Sequence, residues 1–387
     1  MNINVLGVGT TKFGELWDVS PRTLIREAYE NALTESGLDP NTLDGIFVGN
    51  MLSGILGNQE NMGAFVSESI GLTGKAAVKV EGACASGGLA VHQGVLSILS
   101  GQYQAVLVVG IEKMTDHKPE EVAGALMGAG SDEERSAGLT FPGLYSLMAR
   151  VHMQQYKTTE EDMAAVSVKN HYHASFNSKA QFRKEISIED VLKSPCISDP
   201  LKLLDCSPIS DGASAIILSR SGLTRKSHDT SVSIIASSAS SDSLGLCGRS
   251  SLTSLSATKT AAGLAYQQAK LQPKDIDIAE VHDCFSIAEI MALEDLGFYE
   301  KGRAGSAIGS GDVTLGSSKK LVVNTSGGLK ACGHPVGATG VKQVVEVVEQ
   351  LRGTVGKRQL KNARIGLTHN VGGSGAVAAV HILENNQ

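Results

Sequence analysis

AYENALTESGLDPNTLDGIFVG (28–49) and AYQQAKLQPKDIDIAEVH (265–282) are one passage written twice. Each opens on an amphipathic helical pattern. Each then carries Leu, Pro, Asp and Val at the same spacing: Leu38, Pro40, Asp44 and Val48, then Leu271, Pro273, Asp277 and Val281. The repetition runs on. KAAVKVEG (75–82), a predicted strand, leads through Cys84 into SGGLAVHQGVLSILSG (86–101), a predicted helix, and then AVLVVGIE (105–112). In the second half GHPVGATGVKQVVEVVEQL (333–351) leads into ARIGLTHN (363–370). Two similar halves place Cys84 and His334 at corresponding helix starts.

Working outward, β-branched apolar runs alternate with helical patterns, the signature of helices packed on sheets in an α/β fold. Ten segments read as strands: INVLGVG, GIFVGN, AAVKVEG, AVLVVGIE, ASAIILS, VSIIASS, DIAEVH, LVVNTSG, RIGLTHN and AVAAVHIL. The chain divides at 1–114, the first part of the N-terminal half; 115–230, an insertion that also holds that half's return strand; and 231–387, the C-terminal half. Within the insertion, 148–176 reads as a helix and a polar, loop-rich stretch follows. The Ser-rich run 237–259 reads equally as a flexible linker or as an ordered loop facing a pocket.

With 387 residues, 42% of them hydrophobic, the chain is long enough for two or three cores. A net charge of −6 excludes a general binder of nucleic acid or anionic membranes. No run approaches a membrane span and the N-terminus reads as a strand rather than a leader, so a cytoplasmic protein is expected. Cysteines at 84, 196, 206, 247, 284 and 332 form no Cys-x-x-Cys pair, which fits neither a disulfide framework nor a zinc site.

Cys84 lies in EGACASGG (81–88), between a strand and a helix start, where the dipole favours a thiolate and small neighbours admit an acyl group. A buried core cysteine is the plainer alternative. VHDCFS (281–286) ends a predicted strand with His282, Cys284 and Phe285 close together. His334 precedes a proline suited to a first helical turn, and THNVGGSG (368–375) ends in a Gly-rich turn whose N–H groups suit a developing oxyanion. His171 and His173, two apart on a helix, face different ways and make a poor metal pair. Met148 and His152, at i and i+4, read either as a pocket wall or as a packed helix face. GSAIGSGDVTLG (305–316) lacks the lysine of a phosphate loop and reads as a surface loop.

CASGG, HDCFS, NTSGG with GHPVGATG, and NVGGSG, in this order over essentially the whole chain, resemble the thiolases. HDCF at 282–285 is similar to the sterol-carrier-protein type and to archaeal acetoacetyl-CoA thiolases. The resemblance implies a thiolase fold: two βαβαβαββ halves layered α/β/α/β/α, with a loop-domain insertion. It implies acetyl-CoA C-acetyltransferase activity without cofactor or metal. Cys84 becomes the acylated nucleophile and His334 its base, with His282 a second donor to substrate oxygen. Many thiolases carry an acid/base cysteine where this chain has Asn370, so Cys284 is implied as the proton-moving thiol. The N–H groups of Cys84 and Gly372 are the expected oxyanion donors, and Met148, Ser256 and Phe285 the expected substrate contacts. Acyl-CoA substrates, a homodimer or homotetramer, and a complex with hydroxymethylglutaryl-CoA synthase through a small OB-fold bridging protein follow from the same resemblance. The alternatives are a decarboxylating ketoacyl synthase, which needs no proton-abstracting thiol, and a non-catalytic scaffold subunit.

Overall fold

The structure is a computed structural model that describes residues 2–220 and 231–386. The boundary expected at 230/231 touches residues outside that set. Strands β1 (Ile3–Thr10), β2 (Gly45–Gly49), β3 (Ala76–Val80) and β4 (Ala105–Glu112) come first in the chain. A two-strand hairpin, β5 (Cys196–Ser198) and β6 (Leu201–Lys202), sits in the insertion. β7 (Gly212–Arg220), β8 (Val232–Ser241), β9 (Ile278–Glu280), β10 (Val322–Val323), β11 (Ile365–Gly372) and β12 (Val377–Asn385) follow. All ten segments read as strands correspond to strands of the main sheet.

The sheet order is β10-β9-β11-β12-β8-β1-β7-β4-β2-β3, a palindrome about the β8/β1 junction. In each half two parallel pairings at the outer edge give way to antiparallel ones toward the centre. The halves meet where β1 pairs antiparallel with β8 through Ile3–Ile234, Asn4–Ser233 and Val5–Val232.

The repeated aspartates explain why the repeat folds alike. Asp44 Oδ2 accepts N–H bonds from Gln104 (2.6 Å) and Ala105 (3.1 Å), fixing where β4 starts beside β2. Asp277 Oδ2 accepts from Arg364 and Ile365, both at 2.8 Å, and fixes β11 beside β9 in the same way.

Helices Ser86–Leu99 and Val336–Arg352 form the middle layer between the two half-sheets. The second has every residue but Glu349 buried. Its valines at 341, 344, 345 and 348 pack with Val91 and Val95 of the first and with Val106, Val108, Ile216 and Leu383 from the strands. Each such side chain contributes about 1.5–3 kcal/mol by leaving water. The two helices cross at glycine: a Cβ on Gly340 would lie 2.1 Å from the Gly88 nitrogen and 2.2 Å from Asn370 Oδ1.

The structure departs from the sequence reading in two places. The segment 148–176 is two helices, Phe141–Tyr156 and Glu160–Ser175, broken at Lys157, whose φ of 65° ends the first, and restarted by a Thr159 cap. The expected surface loop 305–316 instead begins within a short helix, Ala304–Gly309, and buries Ile308 and Val313. The run 237–259 is ordered. It finishes β8 and enters the helix Ser256–Ala269, and on the way Arg249 donates to Ser374 O and Oγ.

Candidate active site

Cys84 stands on a tight turn that precedes the helix Ser86–Leu99. Ala83 before it adopts a φ of 52°, a conformation L-residues disfavour, and local bonds hold it there. Ala83 N–H donates to Glu81 Oε1 (2.6 Å), and Ser86 Oγ donates to Ala83 O (2.6 Å) while accepting from Gly82 N–H (3.1 Å). The amide facing the Cys84 sulfur, besides Cys84's own, belongs to Gly373. That is one residue beyond the expected Gly372, whose carbonyl instead closes the turn by accepting from Gly375 and Ala376.

The pull of the helix start toward a thiolate is outweighed here. A helix dipole supplies about 0.3–1 kcal/mol. Burial outweighs it and, with Glu112 and Glu81 nearby, pushes the thiol up to about 12 against the pull of the two amides. A protonated sulfur needs a base.

Two histidines meet it. Cys84 Sγ and one ring nitrogen each of His282 and His334 lie within 4.8 Å of one another, and the rings stand edge to face at 5.1 Å. Burial holds His334 down at about 3 and His282 well below the usual range, so both rest neutral. Their tautomers follow from their partners. Asn370 Oδ1 accepts from Gly88 N–H (3.0 Å), so its Nδ2 is the group that donates to Cys84 O (3.0 Å) and to His282 Nδ1 (3.2 Å). His282 Nδ1 is therefore an acceptor, and its proton sits on Nε2. Thr339 Oγ1 donates to Pro335 O (3.1 Å), so it accepts from His334 Nδ1 (2.7 Å). His334 Nε2 is then a bare lone pair. Both Nε2 atoms are buried without a partner among the described residues, one a donor and the other an acceptor.

That asymmetry suits acyl transfer better than metal binding. An ion held by Cys84, His282 and His334 needs both Nε2 lone pairs, whereas Asn370 keeps a proton on one of them.

Cys284 lines the same apolar cavity, of about 200 Å³, together with Cys84, His334, Phe285, Tyr145 and Gly373. Asp283 beside it ties this strand end to the GHP segment, since its carboxylate accepts from Leu329 N–H (2.7 Å), Lys330 N–H (3.3 Å) and Asn170 Nδ2 (2.7 Å). Glu112, pushed up to about 7 by burial, accepts from Gly337 N–H (3.1 Å) and Leu52 N–H (3.0 Å) on the other side of that segment.

Phe285 thus faces the cavity, whereas Met148 and Ser256 do not. Met148 is fully buried in the helical core, and His152 beside it bonds Thr158 and Glu294. Ser256 begins its helix away from the cavity lining. Tyr145, Thr339 and Gly373 carried no signal of their own in the sequence, although Thr339 and Gly373 fall inside quoted motifs.

Comparison with known proteins agrees with this geometry. The thiolase N-terminal domain model matches residues 3–222 and the thiolase C-terminal domain-like model 238–385. The chain belongs to the thiolase family. An acetyl-CoA acetyltransferase of Methanothermobacter thermautotrophicus is 49% identical to this thiolase over 98% of the chain and 99% of the relative. Bovine sterol carrier protein 2 is 34% identical, covering 96% of this chain and 70% of that protein. Among solved structures, an Ltp2–ChsH2(DUF35) aldolase superposes with a TM-score of 0.84 at 26% identity, covering 100% and 98% of the two chains. An acetyl-CoA acetyltransferase from Syntrophomonas wolfei, at 20% identity and a TM-score of 0.74, shares the thiolase fold. Among the described residues no helix is long and apolar enough to cross a membrane.

Proposed function

We propose that this thiolase is an acetyl-CoA C-acetyltransferase, joining two acetyl-CoA into acetoacetyl-CoA and CoA or running the reverse thiolysis. The observation that carries the reading is the pair of opposed tautomers around Cys84, with a second thiol on the same cavity. Cys84 gives its proton to His334 Nε2 as the sulfur attacks the thioester carbon, and the oxyanion meets the N–H groups of Cys84 and Gly373. The bond to CoA breaks, and the departing sulfur takes the proton of Cys284. The Cys284 thiolate then removes an α-proton from the second acetyl-CoA, whose enolate oxygen is met by His282 Nε2–H and the protonated His334. The enolate carbon attacks acetyl-Cys84, and the released sulfur recovers its proton from His334. Atoms and charge balance without a cofactor.

The test pairs two readouts. Peptide mass spectrometry after incubation with acetyl-CoA should find acetyl on Cys84, and acetoacetyl-CoA should be cleaved by CoA. Cys284→Ala should keep the acetylation and lose at least about a hundredfold in carbon–carbon bond formation. Acetyl confined to another cysteine would remove Cys84 as the nucleophile, and CoA release that depends on malonyl-CoA without cleavage of acetoacetyl-CoA would replace the reading with a decarboxylating synthase.

The same reading includes a cytoplasmic homo-oligomer in lipid or mevalonate metabolism. It also includes association with hydroxymethylglutaryl-CoA synthase through an OB-fold bridging protein, which would draw an unfavourable condensation forward. A solved neighbour that is itself an assembly with a DUF35 protein supports the idea of a bridge. Gentle low-salt co-purification that yields the thiolase alone would count against it.

A further inference from the structure

Tyr145 projects from the insertion helix Phe141–Tyr156 into the wall between the two thiols. Its ring is 1% exposed and packs on Phe285 with centroids 4.6 Å apart. Its hydroxyl donates to Gly373 O at 3.3 Å, and it shares the cavity wall with the Cys284 thiol. Gly373 is the residue whose N–H faces Cys84. One glycine thus serves the nucleophile through its N–H and the tyrosine through its carbonyl.

We infer that the Tyr145 hydroxyl is the switchable donor that makes Cys284 usable as a base: it points at Gly373 O while Cys284 is a thiol and turns onto the sulfur when Cys284 is a thiolate. The inference rests on Cys284 as the proton-moving group. With the thiol protonated, S–H donates to the tyrosine oxygen, whose own proton is taken by Gly373 O. Once Cys284 has protonated the departing CoA sulfur, the thiolate has become the better acceptor, since hydrogen bonds to charged groups are roughly twice as strong as neutral ones. Rotation of one C–O bond redirects the hydroxyl. When the substrate C–H bond breaks, its proton goes to sulfur and its electron pair stays on the enolate, while Tyr145 keeps its proton throughout.

A donor is needed because the surroundings of Cys284 oppose ionisation. Burial, the neighbouring Cys84 and Asp283 all push the thiol up, and Tyr145 and Lys330 pull it down. The other titratable groups on this cavity do not help: His334 is neutral at rest, and burial pushes the Cys84 and Cys206 thiols up. Lys330 is itself committed to Asp205 O, so Tyr145 is the partner placed to respond to the thiolate. The tyrosine does not compete for the proton, because burial beside both thiols holds its own ionisation well above the usual range.

Tyr145→Phe keeps the ring on Phe285 and removes only the hydroxyl. Two measurements on the full-length enzyme test it beside the parent and Cys284→Ala. Exchange of acetyl-CoA methyl protons with deuterium should slow by about tenfold or more at pH 7, with its rise shifted upward by about one pH unit, as expected when a thiolate loses a charge-assisted donor. Acetylation of Cys84 should change far less. Peptide-resolved alkylation of Cys284 by iodoacetamide should show the same upward pH shift, a readout independent of catalysis that mere loosening of the wall would not produce. If Tyr145→Phe leaves both pH profiles in place while Cys284→Ala loses exchange, the tyrosine only packs and the inference falls alone. If Cys284→Ala exchanges at the parent rate, the base assignment falls and takes the inference with it.

Discussion

Thr339 decides which nitrogen of His334 is free, and so whether the histidine faces Cys84 as a base or as a donor. Its hydroxyl is already spent on Pro335 O, leaving only acceptor capacity for His334 Nδ1–H. Thr339→Val keeps the shape and leaves that N–H buried without a partner, a penalty of about 1–3 kcal/mol. Acetylation of Cys84 should fall by about tenfold or more, followed by single-turnover CoA release, while the fold survives. An unchanged acetylation rate would mean that the tautomer is set elsewhere. Cys84, His282, Cys284 and His334 were legible as residues because each falls at a strand end or helix start, with glycine or proline within two residues of Cys84 and His334. Their states were not. The dipole argument for a thiolate took account of the helix start but not of burial, and the expected Gly372 is one residue off Gly373 because sequence alone cannot say which amide of a glycine turn points inward. Tyr145 lay in an unremarked stretch of the insertion, and only tertiary packing brings it to Cys284.

Among the elements, the duplicated passage was the most legible part of the chain, because an aspartate that pins a neighbouring strand must keep its distance from the strand it precedes. Asp44 and Asp277 each accept two N–H bonds at the start of the next parallel strand, and the same two residues donate their own N–H to Ala105 O and Ile365 O. Asp277→Ala orphans the Arg364 and Ile365 amides at a half-exposed strand end. Stability should drop by about 1–2 kcal/mol, read from the urea midpoint at constant slope, with acetoacetyl-CoA cleavage nearly unchanged. Asp44→Ala should cost a similar amount, and an effect confined to one of the two would deny them a shared role. The insertion was less legible. Apolar periodicity carried one helix straight through Lys157, where only its left-handed backbone and the Thr159 cap divide the run. In the C-terminal half, 305–316 lacks the lysine of a phosphate loop and reads as a surface loop, but Ile308 and Val313 are drawn into the core.

At the scale of the whole molecule the two halves repeat one topology, yet their outer edges differ, and that difference predicts how copies associate. β10 is two buried residues, and its outer side is already satisfied: Val323 N–H donates to Val313 O, and Val323 O accepts from Lys169 Nζ. β3 is five residues long, ends the sheet order with its second side unpaired among the described residues, and leaves Val78 48% exposed. An open apolar edge of that kind invites pairing with a second copy, and a symmetric contact satisfies both edges at once. The charged Lys79 does not blunt it, because its ammonium is turned toward Glu60 at 3.7 Å. A homodimer through β3 is therefore expected at micromolar concentration by sedimentation. Val78→Asp puts two like charges near the symmetry axis of that pairing and should weaken the dimer by at least about tenfold, with the circular dichroism of the fold preserved. A parent enzyme that sediments as a monomer, or a Val78→Asp variant that stays dimeric at nanomolar concentration, would move the interface away from this edge.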